Sequence, residues 1–367
     1  MEKVIAKINL THIVNNAKYF KQATGVDLCA VVKADAYGHG AEEVAFALSS
    51  CVDLFAVAIV DEALKIRVSA CGKGILILTP PVSEEETILA GQNGFILTIP
   101  DLYTARRVAE VCHKYSLSVK VHLKVNTGMN RYGANAQLLG KICKLLATCP
   151  WVSVEGIYSH LYAFDRQTCE NQRKDFLRKL AVAKGYFPYL KSHLSATYGA
   201  FLGKDYAFDM VRIGLGLYGY LPTPELRAPL KKAMSVYAPV VATRKYIFGG
   251  VGYGNAPKDF SAKTLYTLRV GYADGFLRQK NNGMFGYETN ANNLCMDACV
   301  RKGKATRGSW LPVMLDADIT ANSVGTISYE VLCSATKRAE RIYCYDNENT
   351  NAKTRFTPTD ETSSRGQ

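Results

Sequence analysis

The stretch DLCAVVKADAYGHGAEEVAFALSS, residues 27–50, joins a short run of apolar and β-branched residues to an amphipathic segment. The first part has the composition of a buried strand and the second has the spacing of a helix. This pair of patterns recurs along the chain and gives eight candidate strands in all. The seven later strand-like runs are LFAVAIV (54–60), ILILTP (75–80), GFILTIP (94–100), SVKVHLKV (118–125), VEGIYSHL (154–161), YLKSHLSA (189–196) and MVRIGLGLYG (210–219).

Strict alternation of strands and helices predicts an α/β fold with a parallel sheet and right-handed crossovers. Eight such units in about 200 residues predict closure into a (β/α)8 TIM barrel. An open, doubly wound sheet is the alternative architecture. The alternation of strand and helix patterns ends after Tyr220. The proline-bearing segment PTPELRAPL (222–230) then leads into a region that contains frequent glycines and strand patterns but no long helix pattern. We therefore expect a second, C-terminal domain that is mostly β.

These patterns predict four segments. Residues 1–9 form an N-terminal strand that packs with the C-terminal domain, residues 10–225 form the barrel, and residues 226–345 form the β domain. Residues 346–367 are polar, lack apolar periodicity and are expected to be a disordered tail.

Composition excludes several classes of function. The formal net charge is +13, but the basic residues are scattered rather than clustered, so nucleic-acid binding is not expected. No apolar run approaches the roughly 18 residues of a membrane span, and MEKVIAKINL lacks the apolar core of a signal peptide. The 11 cysteines contain no CxxC pair and, with the six histidines, no zinc spacing. We expect a cytoplasmic protein without a membrane anchor or metal site.

Lys33 lies where the first predicted strand ends. A buried ammonium group must be paired or must lose its proton, and a desolvated amine is the form that makes a Schiff base with a carbonyl compound. Taken alone, a lysine at this position is more often a lysine on the barrel rim. However, active sites of such barrels are built where strands end, and later strands supply further polar residues there: Lys124 and Arg131, His160, Thr197, and Arg212 with Gly214.

This set suits a planar, anionic cofactor. A phosphate group often lies near the loops after strands 7 and 8, where Thr197 offers a hydroxyl group and Gly214 permits a close approach of backbone N–H groups. Each residue also has a simpler explanation: Thr197 as a helix cap, His160 as a core histidine and Arg212 as an ion-pair partner. The glycines of IGLGLYG (213–219) also satisfy GxGxxG, but no helix opens there, so a dinucleotide site is not expected.

Several motifs resemble those of the alanine racemase family, a group of enzymes that use pyridoxal 5′-phosphate (PLP). The similarity extends from AKINL (6–10) to about Tyr343. It is carried by VVKADAYGHG (31–40), HLKVNTGMNRYG (122–133), GIYSH (156–160), DMVRIGLGLYG (209–219), GYADGF (271–276), LCMDA (294–298) and TISYEVLC (326–333).

The resemblance implies an amino-acid racemase that interconverts L- and D-alanine and supplies D-alanine for peptidoglycan. Lys33 would hold PLP and act as the base on one face of the substrate. Tyr272, from the partner subunit of a homodimer, would act on the other face. Arg131 and the Met296 N–H would bind the substrate carboxylate, and Lys124 matches a lysine that is carbamylated in the family. The remaining cofactor contacts implied are Tyr37, His160, Thr197, Arg212, Gly214, Leu215 and Tyr329, with Asp165 and Asp297 near the entrance.

The chain departs from the family pattern at four positions: Asn126, Asn130, Ala196 and Asn293. Two of them, Asn130 and Asn293, lie in segments close to the substrate, so serine is an alternative substrate. A non-catalytic PLP-binding barrel is a second alternative, although GYADGF supplies the second base that such a protein would not need. A decarboxylase of the same fold is a third, and Arg212 argues against it because such enzymes place an acidic residue at the pyridine nitrogen.

Overall fold

The computed structural model describes residues 3–251, 253, 263–277 and 294–346. Asn293 and residues 347–367 of the expected tail lie outside this set. Clustering of contacts divides the chain into two compact units, which we call the barrel unit and the β unit. The barrel unit contains His12–Ala36 and Ala41–Lys231, and the β unit contains Met1–Thr11, Tyr37–Gly40 and Lys232–Gln367. The short segment Tyr37–Gly40 therefore belongs with the β unit, although it lies between two barrel elements in sequence.

The chain begins with strand β1 (Ile5–Asn9) and helix α1 (Leu10–Thr24). The barrel strands follow: from β2 to β8 each strand pairs in parallel with the next one along the chain, and β2 also pairs in parallel with β9. Their bounds are β2 (Asp27–Val31), β3 (Leu54–Val57), β4 (Gly74–Ile77), β5 (Ile96–Ile99), β6 (Val119–Lys124), β7 (Val152–Tyr158), β8 (Lys191–His193) and β9 (Met210–Ile213).

The predicted (β/α)8 barrel is confirmed. The ring is completed between β8 and β9 by two backbone hydrogen bonds, from Asp209 N to Ser192 O (3.0 Å) and from Arg212 N to Ser195 O (2.9 Å). The carboxylate of Asp209 also accepts from the N–H of Ser192 (2.7 Å). Because β8 has only three residues, these hydrogen bonds, rather than an extended ladder, join β8 to β9.

Helices separate the strands, as the amphipathic segments predict. Four of them begin at a side chain that accepts a backbone N–H of the first turn: Ser83, Asp101, Asn135 and Asp165. The helices are α2 (Lys33–Tyr37), α3 (Ala41–Leu48), α4 (Val60–Ile66), α5 (Glu84–Asn93), α6 (Leu102–Tyr115), α7 (Ala136–Ala147), α8 (Arg166–Lys184) and α9 (Lys204–Ala207). In the described residues, no helix is long and apolar enough to span a bilayer.

In the residues that the structure describes, the β unit contains a six-stranded sheet and two short helices, which confirms the mostly β C-terminal domain. Its later elements are β10 (Met234–Lys245), β11 (Thr264–Leu268), β12 (Cys299–Lys302), β13 (Trp310–Met314), α10 (Ala317–Val324), α11 (Ser328–Ser334) and β14 (Glu340–Cys344). The strand order is β12-β11-β10-β1-β14, and β13 also pairs with β10. Strand β1 lies inside this sheet, antiparallel to β10 and parallel to β14.

The segment Tyr37–Gly40 packs tightly within the β unit. Gly38 has a φ of +80°, and a Cβ atom there would lie 2.3 Å from the Leu332 carbonyl oxygen. The Gly38 carbonyl accepts from Thr336 Oγ1 (3.0 Å) and from Arg341 Nε (2.8 Å). Only glycine satisfies both the positive φ and the close approach.

We expect Gly38→Ala to destabilise the β unit by about 3 kcal/mol or more, because the new methyl group meets a backbone oxygen that cannot move alone. Gly325→Ala is the matched control: Gly325 has a φ of +75° in the same unit, but a Cβ there meets nothing within 4 Å. This control should cost only the left-handed backbone strain of about 1–2 kcal/mol. Urea unfolding measures both variants, and equal losses would contradict the steric argument.

Candidate active site

Lys33 opens a left-handed helical turn at the C-terminal end of β2. The φ angles of Ala34, Asp35 and Ala36 are +52°, +54° and +54°, and that of Tyr37 is +53°. A left-handed conformation costs an L-residue about 1–2 kcal/mol, so four in a row are strained. Lys33 itself is half-buried. The turn changes the direction of the chain immediately after the lysine, so the side chain leaves the strand at the C-terminal end of the barrel.

Two carboxylates hold this turn in place. Glu62 accepts the N–H of Ala34 (2.7 Å) and, through its other oxygen, the N–H of Ala58 (2.7 Å). Asp35 accepts the N–H of Ala41 (2.9 Å) and pairs with Lys65 (3.0 Å). Hydrogen bonds to a charged group contribute about 1.5–3 kcal/mol each, which is enough to offset the backbone strain.

Four cations surround His160 at the C-terminal end of the barrel. Burial, followed by Arg212, Lys124, Arg131 and Lys33 in that order, lowers the pKa of His160 well below its usual value. The imidazole is therefore neutral. The structure thus brings together the strand-end residues that the sequence singles out in the barrel, and gives them a strongly positive field.

Lys124, the last residue of β6, is 3% exposed. Its Nζ donates to the Val125 carbonyl oxygen (2.9 Å) and lies 5.3 Å from the centre of the Tyr158 ring. Burial, with Arg212 and Arg131 adding repulsion, lowers the pKa of Lys124 to about 7. A substantial fraction of the side chain is therefore an uncharged amine at neutral pH.

Arg212 lies within β9 and is 3% exposed. Its Nη1 donates to His193 Nδ1 (2.9 Å) and to the His193 carbonyl oxygen (3.1 Å). Its Nη2 donates to the carbonyl oxygens of Ser159 (2.7 Å) and Leu194 (3.1 Å) and to His160 Nδ1 (3.2 Å). Both terminal nitrogens are thus fully used. The Nε–H is the donor of this side chain for which the described residues record no acceptor, so it remains for a ligand.

Thr197 and the glycine-rich segment after β9 lie together. The Thr197 hydroxyl is buried and accepts the N–H of Gly216 (3.2 Å), which leaves its proton to donate. A single 3-10 turn, Leu215–Tyr218, follows Gly214, and the Gly216 N–H that contacts Thr197 belongs to this turn. A hydroxyl proton and backbone N–H groups at one place are suited to phosphate oxygens.

Two of the four residues that depart from the family pattern, Asn126 and Asn130, form a hydrogen bond with each other. Asn126 Nδ2 donates to Asn130 Oδ1 (2.8 Å), and Asn126 Oδ1 accepts the N–H groups of Gly128 (3.0 Å) and Asn130 (3.1 Å). An aspartate at 126 could accept both backbone N–H groups but could not donate to Asn130. The two substitutions therefore form one unit that shapes the loop before Arg131, whose exposed guanidinium lies 5.3 Å from the centre of the Tyr132 ring.

In the β unit, Tyr37 and Tyr329 lie side by side with ring centres 5.9 Å apart. Burial raises the pKa of both phenols, with Tyr329 adding to the effect on Tyr37, so both stay protonated donors. Both are among the cofactor contacts that the resemblance to the alanine racemase family implies. Their adjacency links the motif that follows Lys33 to the closing motif of the chain.

Tyr272 and Met296 are also neighbours within the β unit. The N–H of Tyr272 donates to the Cys295 carbonyl (3.1 Å), and the N–H of Ala273 donates to the Met296 carbonyl (3.0 Å). A Cβ on Gly271 would lie 2.1 Å from the Met296 oxygen, so glycine allows the two segments to touch. The side chains of Tyr272 and Met296 are 40% and 54% exposed. This exposure is large for apolar groups and leaves them accessible.

The two predicted entrance residues have structural partners. Asp165 caps α8 by accepting the N–H of Thr168 (2.8 Å), and this bond lowers its pKa. Asp297 pairs with Arg338 (2.7 Å), which also lies 3.6 Å from the carboxylate of Asp274 in the Tyr272 turn. Each aspartate thus has a contact within its own unit, and a role at the entrance stays a prediction.

A polar layer inside the barrel was not predicted from the sequence. His122 Nδ1 lies 3.0 Å from His193 Nε2, and the Tyr158 ring stacks on the His193 ring at 4.8 Å. Strand periodicity was the available signal, because His122 lies two residues before Lys124 and therefore on the same face of β6. Within the described chain, no group of His, Cys, Asp and Glu side chains could hold a metal ion.

The barrel residues fit PLP. The ligand is planar and anionic, and the four cations around His160 supply the matching field. Arg212 has one donor left, Nε–H, which suits an unprotonated ring nitrogen, and Lys33 supplies an amine at the same end of the barrel. The fold and these residues define a PLP enzyme with a barrel and a β domain.

Family models identify the same two parts. The alanine racemase N-terminal domain matches residues 8–222, and the alanine racemase C-terminal domain matches residues 233–343. The chain therefore belongs to the alanine racemase family. It is 30% identical over 385 residues to the alanine racemase of Clostridium novyi, covering 95% of this chain and 97% of that one.

Solved structures agree. The alanine racemase of Bartonella henselae with covalently bound pyridoxal phosphate superposes with a TM-score of 0.82 at 30% identity, covering 94% of this chain and 100% of that one. The alanine racemase of Bacillus anthracis with bound L-Ala-P superposes with a TM-score of 0.84 at 25% identity, covering 95% and 96%.

The depressed pKa of Lys124 makes stability depend on pH. The unfolded chain binds a proton at this lysine up to about pH 10.4, while the folded chain releases it near pH 7. Folded protein therefore gains stability as pH rises from 7 to 10. Relative to Lys124→Met, we expect the wild-type unfolding free energy to rise by about 2–4 kcal/mol over this window.

Urea unfolding in bicarbonate-free buffer measures this difference at each pH. Lys144→Met is the control, because Lys144 is exposed on α7 and its substitution should shift stability equally at every pH. A difference between wild type and Lys124→Met that does not change with pH would contradict the burial argument.

Proposed function

We propose that this protein interconverts L- and D-alanine with PLP held on Lys33, as an amino-acid racemase. The observation that carries the proposal is the cationic site around His160, in which Lys33 and the free Nε–H of Arg212 lie at one end of the barrel. The relatives described above are named alanine racemases and extend over nearly the whole chain. They do not favour serine as the substrate or a non-catalytic cofactor carrier.

When bound, PLP withdraws electrons from the α-carbon of the amino acid joined to it and acidifies the α-proton. Arg212 would hold the pyridine nitrogen by donating its Nε–H. A guanidinium does not give up its proton, so it donates a hydrogen bond without protonating the ring. This restrains the electron withdrawal and limits side reactions. A decarboxylase-type acidic partner is not available, since Arg212 is surrounded by carbonyl oxygens and imidazoles.

Racemisation needs one base on each face of the α-carbon. We assign Lys33 Nζ to one face and Tyr272 Oη to the other. Each takes the α-proton in one direction and returns a proton in the reverse direction. Tyr272 belongs to the β unit and is exposed in the single chain. We therefore propose a homodimer in which Tyr272 and Met296 of one subunit complete the site that holds Lys33 of the other.

The substrate carboxylate is assigned to Arg131 and to the N–H of Met296. Lys124 supports Arg131 in this scheme. The pKa of about 7 leaves Lys124 partly as the uncharged amine, which is the form that adds carbon dioxide. The nitrogen would form the new N–C bond and lose one proton to solvent, and the resulting carbamate would carry a negative charge beside Arg131. This conversion would replace the repulsion between the two side chains by attraction.

The phosphate group is assigned to the Thr197 hydroxyl, the backbone at Gly214 and Leu215, and the phenols of Tyr37 and Tyr329. His160 would pack beside the ring as a neutral imidazole. Asp165 and Asp297 remain proposed entrance residues, in addition to their contacts with α8 and Arg338. We further propose that the enzyme acts in the cytoplasm and supplies D-alanine for peptidoglycan.

Exchange of the α-proton with deuterated solvent tests the reaction. Purified protein with added PLP should incorporate deuterium into L-alanine and form D-alanine, with slower exchange of L-serine. Lys33→Ala should abolish both the exchange and the visible absorbance of lysine-bound cofactor, because the amine is lost. Lys65→Ala is the control, since Lys65 pairs with Asp35 rather than facing the substrate. Faster exchange of serine than of alanine would reject alanine as the preferred substrate.

Subunit mixing tests the shared site. Lys33→Ala and Tyr272→Phe proteins should each be nearly inactive as homodimers. In a hybrid dimer, one site regains both wild-type residues, so an equal mixture should recover about a quarter of wild-type activity through statistical pairing. Native mass spectrometry verifies that hybrids form. If hybrids form without recovery of activity, both bases come from one subunit and the assignment fails.

A further inference from the structure

A cavity of about 570 Å³ opens at the N-terminal end of the barrel, opposite the cationic site. Its wall includes the first residues of several strands, such as Asp27, Lys191 and Met210. His122 also lines it, from the middle of β6. The side chain of His122 is almost wholly buried at 3% exposure, so this histidine forms the inner end of the cavity.

His122 begins a chain of hydrogen bonds that crosses the barrel interior. Its Nδ1 lies 3.0 Å from His193 Nε2, and His193 Nδ1 lies 2.9 Å from Arg212 Nη1. Strands β6, β8 and β9 supply the three residues, and β7 separates the first two strands. The contacts therefore run through the inside of the barrel, from the cavity to the guanidinium assigned to the pyridine nitrogen.

Arg212 determines which nitrogen carries the proton in each imidazole of this series of hydrogen bonds. A guanidinium only donates, so His193 Nδ1 must accept, and a neutral His193 then carries its proton on Nε2. That proton is donated to His122 Nδ1, which must accept in turn. His122 therefore carries its own proton on Nε2, the edge away from His193. Burial and the charge of Arg212 keep both imidazoles neutral, with the pKa of His122 lowered to about 3.

The opposite proton placement, with His193 protonated on Nδ1, is disfavoured by the same contacts. If His193 carried its proton on Nδ1, two N–H groups would face each other between His193 and Arg212. If His122 could not accept, the buried Nε2–H of His193 would lack a partner, at a cost of about 1–3 kcal/mol. Moving the proton to Nδ1 would relieve that cost only by pushing Arg212 away. Acceptance by His122 thus stabilises the one tautomer that holds Arg212.

We propose that His122 is a positioning residue for Arg212: by accepting the proton of His193 Nε2, it fixes the His193 tautomer and so the guanidinium at the cofactor. The inference rests on the proposed contact between Arg212 and the pyridine nitrogen. Gly156 allows this position of the His122 ring, because a Cβ at residue 156 would lie 2.8 Å from His122 Cε1 and Nε2. The absence of a side chain at 156 leaves room for the His122 ring.

Nitrogen-15 NMR of histidine-labelled protein measures the proton order directly, before and after PLP is bound. The chain has six histidines, so single substitutions assign the signals. His193 should show a protonated Nε2 and an unprotonated Nδ1 in the wild type. In His122→Leu, the His193 signals should change to the other tautomer or to a mixture. His122→Asn keeps an oxygen acceptor near the Nδ1 position and should restore the wild-type pattern.

Cofactor affinity gives the second readout. The PLP dissociation constant should rise about tenfold in His122→Leu, the equivalent of one lost buried hydrogen bond, and return towards wild type in His122→Asn. His113→Leu is the control, because His113 is exposed on α6 and should change neither readout. If His122→Leu does not fold, the wild-type tautomers and the His122→Asn variant still decide the question.

The outcomes separate two failures. A wild-type His193 protonated on Nδ1, or an unchanged tautomer in His122→Leu, would overturn the role of His122. A changed tautomer with unchanged PLP affinity would show instead that Arg212 does not hold the cofactor, which contradicts the proposed function at that contact.

Discussion

A buried guanidinium that pairs with no carboxylate among the described residues is the constraint on which the barrel interior depends. Arg212 is 3% exposed, and within that part of the chain its terminal nitrogens donate to carbonyl oxygens and imidazoles. Burying such a charge is costly unless every donor finds an acceptor. The carbonyls at the ends of β7 and β8 and the rings of His160 and His193 must therefore lie where they do. Once these donors are used, the remaining Nε–H has a fixed direction.

The barrel was predictable because its signal is repetitive and local. Each strand is a short apolar run and each helix an amphipathic one, so one periodicity repeated eight times defines the topology. Lys124 and His160 were found by the same logic, since polar residues at strand ends have few structural explanations. Arg212 differs slightly: it lies inside β9 rather than after it, where sequence alone cannot separate a core cation from an ion-pair partner.

Other features depend on contacts between residues far apart and could not be read from a pattern. Ala34 and Ala36 have no intrinsic preference for a left-handed conformation, and Glu62 and Asp35 impose it through hydrogen bonds. Similarly, the sequence offers no reason for Tyr37–Gly40 to leave the barrel unit, because the packing of Gly38 on Leu332 joins residues almost 300 positions apart. Tertiary contacts override local propensity at these places.

Two motifs of the β unit, GYADGF and LCMDA, lie side by side and form one surface. GYADGF and LCMDA are separate in sequence, but backbone hydrogen bonds and Gly271 join them so that Tyr272 and Met296 project from one place. Their exposure in the single chain agrees with the proposal that a second subunit covers them. A monomer would leave these groups in water, and the proposed site would lack its second base.

The position of β1 has a consequence for biosynthesis. This strand is made before the barrel, yet its neighbours are β10 and β14, and β14 ends at Cys344. Both edges of β1 therefore stay unpaired while the ribosome completes the whole barrel, a period in which exposed strand edges invite wrong pairing. The β sheet can close only after the ribosome has synthesised β14. Nascent chains stalled before residue 340 should thus resemble a folded barrel with a tethered, open strand, a natural client for a chaperone.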